Sequence, residues 1–198
     1  MGLWESLFRR HKAKSHSLKW PLPESRLTIP IDDTARTVAA LKKNKAKFVS
    51  GGEYRDLVHA KAYGDAFAYF ILRTDSKTDE EKLLFDGYMI QEEEQLGTNL
   101  SSGGLLANDL EALGYNRVLS RSLTEWRFRI GLLRAVVFEI DGIGPLLEIA
   151  LPESKTVQGR ELQEKSVKSL LKKLELNEGN AVPTDAITLQ LTALMKES

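Results

Sequence analysis

The residues best equipped for chemistry lie between Trp126 and Glu148, where the chain reads WRFRIGLLRAVVFEIDGIGPLLE. Arg127 and Arg129 stand two apart, and so do Glu139 and Asp141. Alternate side chains of a strand share one side of a sheet, so two cations and two carboxylates could occupy a common polar face. Trp126, Phe128 and Ile130, then Val136, Phe138 and Ile140, would form the apolar face behind them. A sheet with its charges turned inward would suit a multiply charged ligand. An ordinary sheet turns its apolar face inward instead, and the spacing alone does not choose between the two.

Composition removes several other chemistries. The 198 residues suffice for one large domain, or one domain with an appendage. Twenty-eight basic and 28 acidic residues cancel, which leaves local patches as the only basis for attraction to nucleic acid. With no cysteine, disulfides, thiolate metal sites and cysteine nucleophiles are excluded. His11, His16 and His59 lack metal-ligand spacing. Gly51–Gly52 and Gly103–Gly104 are turn punctuation rather than phosphate loops, and no nucleophile elbow occurs. No apolar run approaches the ~20 residues that would span a bilayer, so a soluble, cytoplasmic protein is expected.

Residues 1–20 differ in character from the rest. Leu3, Trp4, Leu7 and Phe8 recur at helical spacing, followed by Arg9, Arg10, Lys12 and Lys14, and Pro21 and Pro23 separate this segment from the body at 21–198. A basic amphipathic helix of this kind suits a membrane surface, docking on the domain, on a protein partner or on a second copy in a homo-oligomer, or targeting. Gly2 and Ser6 also fit the short N-myristoylation pattern, which would make the protein a peripheral membrane one.

The elements expected to position the charged residues follow from periodicity and caps. Strands are predicted at 26–31, 54–63, 66–74, 82–93, 115–123, 125–130, 134–140 and 146–151. Asp32, Asp33 and Thr34 start a first helix that ends in the basic run Lys42, Lys43, Lys45 and Lys47. A second helix spans 101–113 with Gly114 as its C-cap, and two more cover 160–176 and 185–196. In the third, Leu162, Val167, Leu170, Leu171 and Leu174 form the apolar face. Eight strands in two groups, each introduced by a helix, make a predominantly antiparallel α+β plan.

The order helix, Leu-Gly, strands, RFRI…VVFEIDGIGPLLEI and a Leu-rich helix resembles the C-terminal half of the CYTH superfamily, the triphosphate tunnel metalloenzymes. Arg127 and Arg129 match its basic pair, Asp141 its aspartate, and Glu148 the first glutamate of its closing strand. Leu72–Arg73 resembles the end of a Leu-Arg-x-Arg strand in the first half, and the run Gln91 to Glu94 resembles that half's acidic close. The likeness spans about Glu24 to Met195, with Trp126–Glu148 its specific part. It implies an eight-stranded closed antiparallel sheet, a tunnel-like barrel with helices outside. Arg127, Arg129, Arg73, Lys82 and Arg134 would bind the triphosphate. Glu148, Asp141, Glu92 and Glu94 would hold Mg²⁺ or Mn²⁺, and no residue is assigned to catalysis.

Departures from the family pattern touch the metal cage most. At Glu24–Asp32 the hallmark Glu-x-Glu-x-Lys strand is replaced by ESRLTIPID, the closing Glu-Ile-Glu has become Glu148-Ile149-Ala150, and Arg-x-Arg has become Arg73-Thr74-Asp75. Losing carboxylates removes both ligands and favourable charge for a divalent ion. Three readings stand. One is a triphosphatase acting on a small triphosphate or an RNA 5′ end, with ATP cyclisation a lesser variant. Another is a non-catalytic tunnel-like module, attached to a membrane or partner through residues 1–20. The last is an unrelated α+β protein with surface arginines.

Overall fold

Alternating apolar and polar residues, broken by turn signals, resolve into four helices and an antiparallel sheet among the described residues of a computed structural model. It describes residues 26–63, 66–86, 98–99, 103–151, 154 and 156–195. In chain order these form β1 (Arg26–Pro30), α1 (Thr34–Lys43), β2 (Lys47–Tyr63), β3 (Ala66–Asp75), β4 (Glu81–Asp86), β5 (Thr98–Asn99) and α2 (Gly103–Ala112). Then follow β6 (Asn116–Ile130), β7 (Leu133–Ile140), β8 (Gly144–Ala150), α3 (Val157–Lys173), a 3₁₀ turn at Glu178–Asn180 and α4 (Ala186–Met195). The hydrogen-bonded order is β1-β8-β7-β6-β2-β3-β4-β5. Seven strands have five residues or more, and β5 has two.

The expected α+β class and antiparallel sheet are observed; closure into a barrel is not. Among the described residues the order runs from an edge at β1 to an edge at β5, with no pairing between them. The outer side of β1 meets, among the described residues, a local bridge in which Thr28 and Val182 exchange backbone hydrogen bonds at 2.9 Å. The strands expected at 115–123 and 125–130 are one strand, β6, and β5 was not anticipated. No helix among the described residues is long and apolar enough to cross a membrane. Residues 1–20 lie outside the described residues.

The chain divides into two units: Met1–Gly51 with Glu125–Ser198, and Gly52–Thr124. In the first unit, apolar alternation on the strands meets two helices. Leu27 and Ile29 of β1, Phe128 of β6, Ala135 and Val137 of β7, and Leu147 and Ile149 of β8 share one core with Leu41 of α1 and Val167, Leu170, Leu171 and Leu174 of α3. Trp126 and Ile130 pack against it. Asp33 starts α1 by accepting the Arg36 N–H at 2.9 Å, and Thr156 starts α3 by accepting the Gly159 N–H at 3.1 Å. Leu162 is 60% exposed, because it is rotated away from the stripe made by its four partners.

One expected grouping is reversed. The turn Gly131–Leu132 has two residues, so Ile130 and Leu133 are neighbours and the alternation changes parity between β6 and β7. Ala135 and Val137 therefore share the core side with Phe128, whereas Phe138 and Ile140 are buried on the other. Glu139 continues the Ala135–Val137 alternation, and so it does not share a face with Arg127 and Arg129. Asp141 lies beyond the strand in an exposed turn with Gly142 at φ +75°.

The second unit is a meander on β2, β3 and β4. Asp56↔Arg73, Val58↔Ile71 and Ala60↔Tyr69 are direct partners across β2 and β3, and Arg73↔Lys82 and Ile71↔Leu84 across β3 and β4. The other side carries His59, Phe70 and Leu72. Near α2, Phe70 meets Tyr115 edge-on at 4.9 Å, and Lys61 Nζ donates to the Leu113 carbonyl at 3.3 Å. Gly114, at φ +85°, ends α2 in the left-handed conformation that a side chain disfavours.

Candidate functional site

Strand register in the second unit sets charged side chains in a row across four strands. Asp56 of β2 and Arg73 of β3 are direct partners, Lys82 of β4 is the next partner, and Arg121 reaches the same carboxylate from β6. Arg73 Nε donates to Asp56 Oδ1 at 2.8 Å and its Nη2 to Oδ2 at 2.9 Å, a bidentate fork. Arg121 Nε and Nη2 both donate to Oδ2, at 3.2 and 3.1 Å. All three side chains are buried, with that of Asp56 wholly inaccessible. The Arg73 guanidinium carbon lies over the Tyr54 ring, 4.6 Å from its centroid, a cation–π contact.

Burial pushes the Asp56 carboxyl up, but the hydrogen bonds and charge of Arg73, joined by those of Arg121, outweigh it and hold the group below the ordinary value of 3.8. Asp56 is therefore ionised wherever the protein works near neutrality. At the end of the strand Asp75 occupies the place where the family resemblance calls for a second arginine. It closes the β3–β4 turn, accepting the N–H groups of Lys77 and Thr78 at 2.8 and 3.1 Å, and these two bonds lower its pKa. A turn carboxylate thus replaces the expected cation.

The first unit treats its charges differently. Arg127 is half-buried and donates through Nε to Glu125 Oε1 at 2.7 Å, two residues back on the same face of β6. Arg129 and Arg134 are exposed. Glu148, expected as the leading metal ligand, is a buried helix cap: its Oε2 accepts the Ala186 N–H at the start of α4 at 3.0 Å, and Arg26 lies 3.6 Å from Oε1. Thr28, directly opposite Glu148 on β1, adds a 2.7 Å bond to the Thr184 carbonyl.

Of the expected ligand residues, the structure thus joins Arg73 and Lys82 in one row and places Arg127, Arg129 and Arg134 on strands of the first unit. Lys82 is half-exposed and lies 3.7 Å from Glu80. Of the expected metal residues, Glu148 and Asp141 have the positions just given, and Glu92 and Glu94 lie outside the described residues. Among the described residues no three His, Asp or Glu side chains gather into a metal-binding group. The buried carboxylates Asp56, Glu125 and Glu148 each face an arginine, and Glu148 also holds a helix end. These three described carboxylates, each already facing an arginine, do not by themselves supply the excess carboxylate charge that Mg²⁺ or Mn²⁺ takes.

Sequence reasoning missed Asp56 and Arg121. Arg121 keeps the odd parity of Arg127 and Arg129, a signal concealed once β6 is read as two strands. Asp56 is flanked by Arg55 and gives no sign in sequence of the burial that makes it matter.

No family model and no curated protein matches the chain. Solved structures do match its fold. A conserved hypothetical protein from Pyrococcus furiosus superposes with TM-score 0.64 at 16% identity, over 84% of this chain and 99% of that one. A Pyrococcus horikoshii protein gives 0.64 at 16%, over 84% and 98%. A Vibrio parahaemolyticus protein, provisionally described as an adenylate cyclase, gives 0.60 at 14%, over 85% and 97%. These likenesses establish the fold and are compatible with a CYTH-like one.

Proposed function

We propose that this chain is a CYTH-like binder of triphosphate-class anions in which buried carboxylates hold arginines instead of a metal ion. The observation that carries the reading is the row Arg121–Asp56–Arg73–Lys82, three cations and one carboxylate aligned across adjacent strands of the second unit. Arginine forks take phosphate oxygens in pairs, and a lysine adds a point charge. The fold likeness supports the class of ligand, and the neutralised donor set supports binding without a protein-held ion. The ligand class comprises inorganic tripolyphosphate, nucleoside or thiamine triphosphates, and an RNA 5′-triphosphate end.

Calorimetry with inorganic tripolyphosphate, with chelator and with added Mg²⁺, tests this directly. Binding that persists in chelator is the expected result, together with no phosphate release at high Mg²⁺ or Mn²⁺. Absence of binding under every condition overturns the proposal. Metal-dependent release of phosphate restores the triphosphatase reading.

A further inference from the structure

Resting on the reading just given, we infer that Asp56 is a positioning residue: a buried carboxylate on β2 that fixes the guanidiniums of β3 and β6 for a phosphate ligand. Strand β2 lies between β6 and β3 in the sheet, so one carboxylate reaches a partner on either side. Both oxygens are used. Oδ1 accepts one bond from Arg73, and Oδ2 accepts a second from Arg73 and two from Arg121. In each arginine both Nε and Nη2 donate to Asp56, which sets the plane and heading of the guanidinium. Tyr54 gives Arg73 a further contact, its ring centroid 4.6 Å from the guanidinium carbon.

Holding these groups matters because an arginine carries roughly 2 kcal/mol of rotamer entropy that an unheld side chain loses on binding. A pair fixed in advance does not lose it again when the ligand arrives. The cost is electrostatic, since a carboxylate beside the cations opposes the approach of any anion. Charge counting and positioning therefore give opposite signs for removal of the acid. If Asp56 merely dilutes a positive patch, Asp56→Asn tightens anion binding. If it positions the pair, the same change weakens binding although it makes the protein more positive.

The experiment compares tripolyphosphate and sulfate affinities of the wild type, Asp56→Asn, Arg73→Lys and Arg121→Lys at one ionic strength, with cooperative melting required of each variant. Positioning predicts that Asp56→Asn loses about tenfold or more in tripolyphosphate affinity and much of its preference over sulfate, because the guanidiniums are no longer held in one heading before the ligand arrives. Unchanged or tighter binding by a folded Asp56→Asn overturns the inference and leaves the proposed function intact. Should Asp56→Asn not fold, the lysine variants decide, since they keep the charge and lose the fork. Loss of affinity and selectivity in both supports positioning, and wild-type affinity in either overturns it. A wild type that binds no tripolyphosphate overturns the function and this inference together.

Discussion

The two units of the chain bury carboxylates for different ends. In the first, Glu148 sits beside an apolar core backed by α1 and α3, and its work is local: it holds the first turn of α4 and meets Arg26. In the second, Asp56 has no helix to cap and instead joins three strands through two arginines. One carboxylate completes a backbone terminus, and the other organises side chains. The difference teaches that a buried carboxylate takes its role from the donors its lone pairs accept, a backbone N–H in one unit and guanidiniums in the other.

That contrast can be broken by measurement. The largest effect expected is at Asp56: replacing it with Ala removes the shared acceptor of two buried guanidiniums and should cost roughly 3–5 kcal/mol in denaturant unfolding. A loss below about 1 kcal/mol would show that the row is wetter and looser than its geometry implies. Acid should act through the same group. The folded-state pKa of Asp56 lies below its unfolded value, so its contribution to stability is present above that unfolded value and lost as pH falls through the folded one. The stability gap between wild type and Asp56→Asn should thus narrow below about pH 4, as followed by unfolding midpoints across an acid series. A gap that stays constant would assign the effect to packing.

Glu148→Ala should cost less, about 1–2 kcal/mol, as expected for a lost helix cap with a partly exposed cation beside it. Glu148→Gln keeps an acceptor for the Ala186 N–H and should recover most of that. If Glu148→Ala matched Asp56→Ala in cost, the distinction between the units would fail. His59 gives a smaller effect of opposite sign. It is buried with neither ring nitrogen hydrogen-bonded among the described residues, so His59→Leu should stabilise by about 1 kcal/mol in thermal melts. Smallest of all, Arg36→Ala removes an exposed pair with Glu175 and should change stability by less than about 1 kcal/mol.

How far the sequence foretold this depends on which force fixes each feature. The start of α1 was legible because a cap is a local device: Asp33 lies three residues from the Arg36 N–H that it accepts, whereas the Thr156 cap put α3 three residues ahead of its expected start. The core was legible where parity persists along one strand, as at Trp126, Phe128 and Ile130. It became illegible at Gly131–Leu132, where a two-residue turn inverts parity and moves Glu139 to the opposite face from Arg127. Arg73 and Lys82 were read as ligand residues, but their alignment is a matter of register, which turns and neighbouring strands set. Asp56 and Arg121 were invisible for the same reason. Sixty-five positions separate them in sequence, and only strand pairing brings them within 3.2 Å. Closure of the sheet came from family resemblance alone, and the observed edges at β1 and β5 correct it.

The pairing of β1 with β8 has a consequence for synthesis. Arg26 lies opposite Ala150 and Pro30 opposite Leu146, so the earliest described strand to leave the ribosome must wait for every other described strand before its partner exists. Gly52–Thr124 is complete well before then and can collapse on short-range contacts. Until β8 emerges, Leu27 and Ile29 have no strand to cover them, and nascent chains stalled in that interval should be the form most in need of a chaperone.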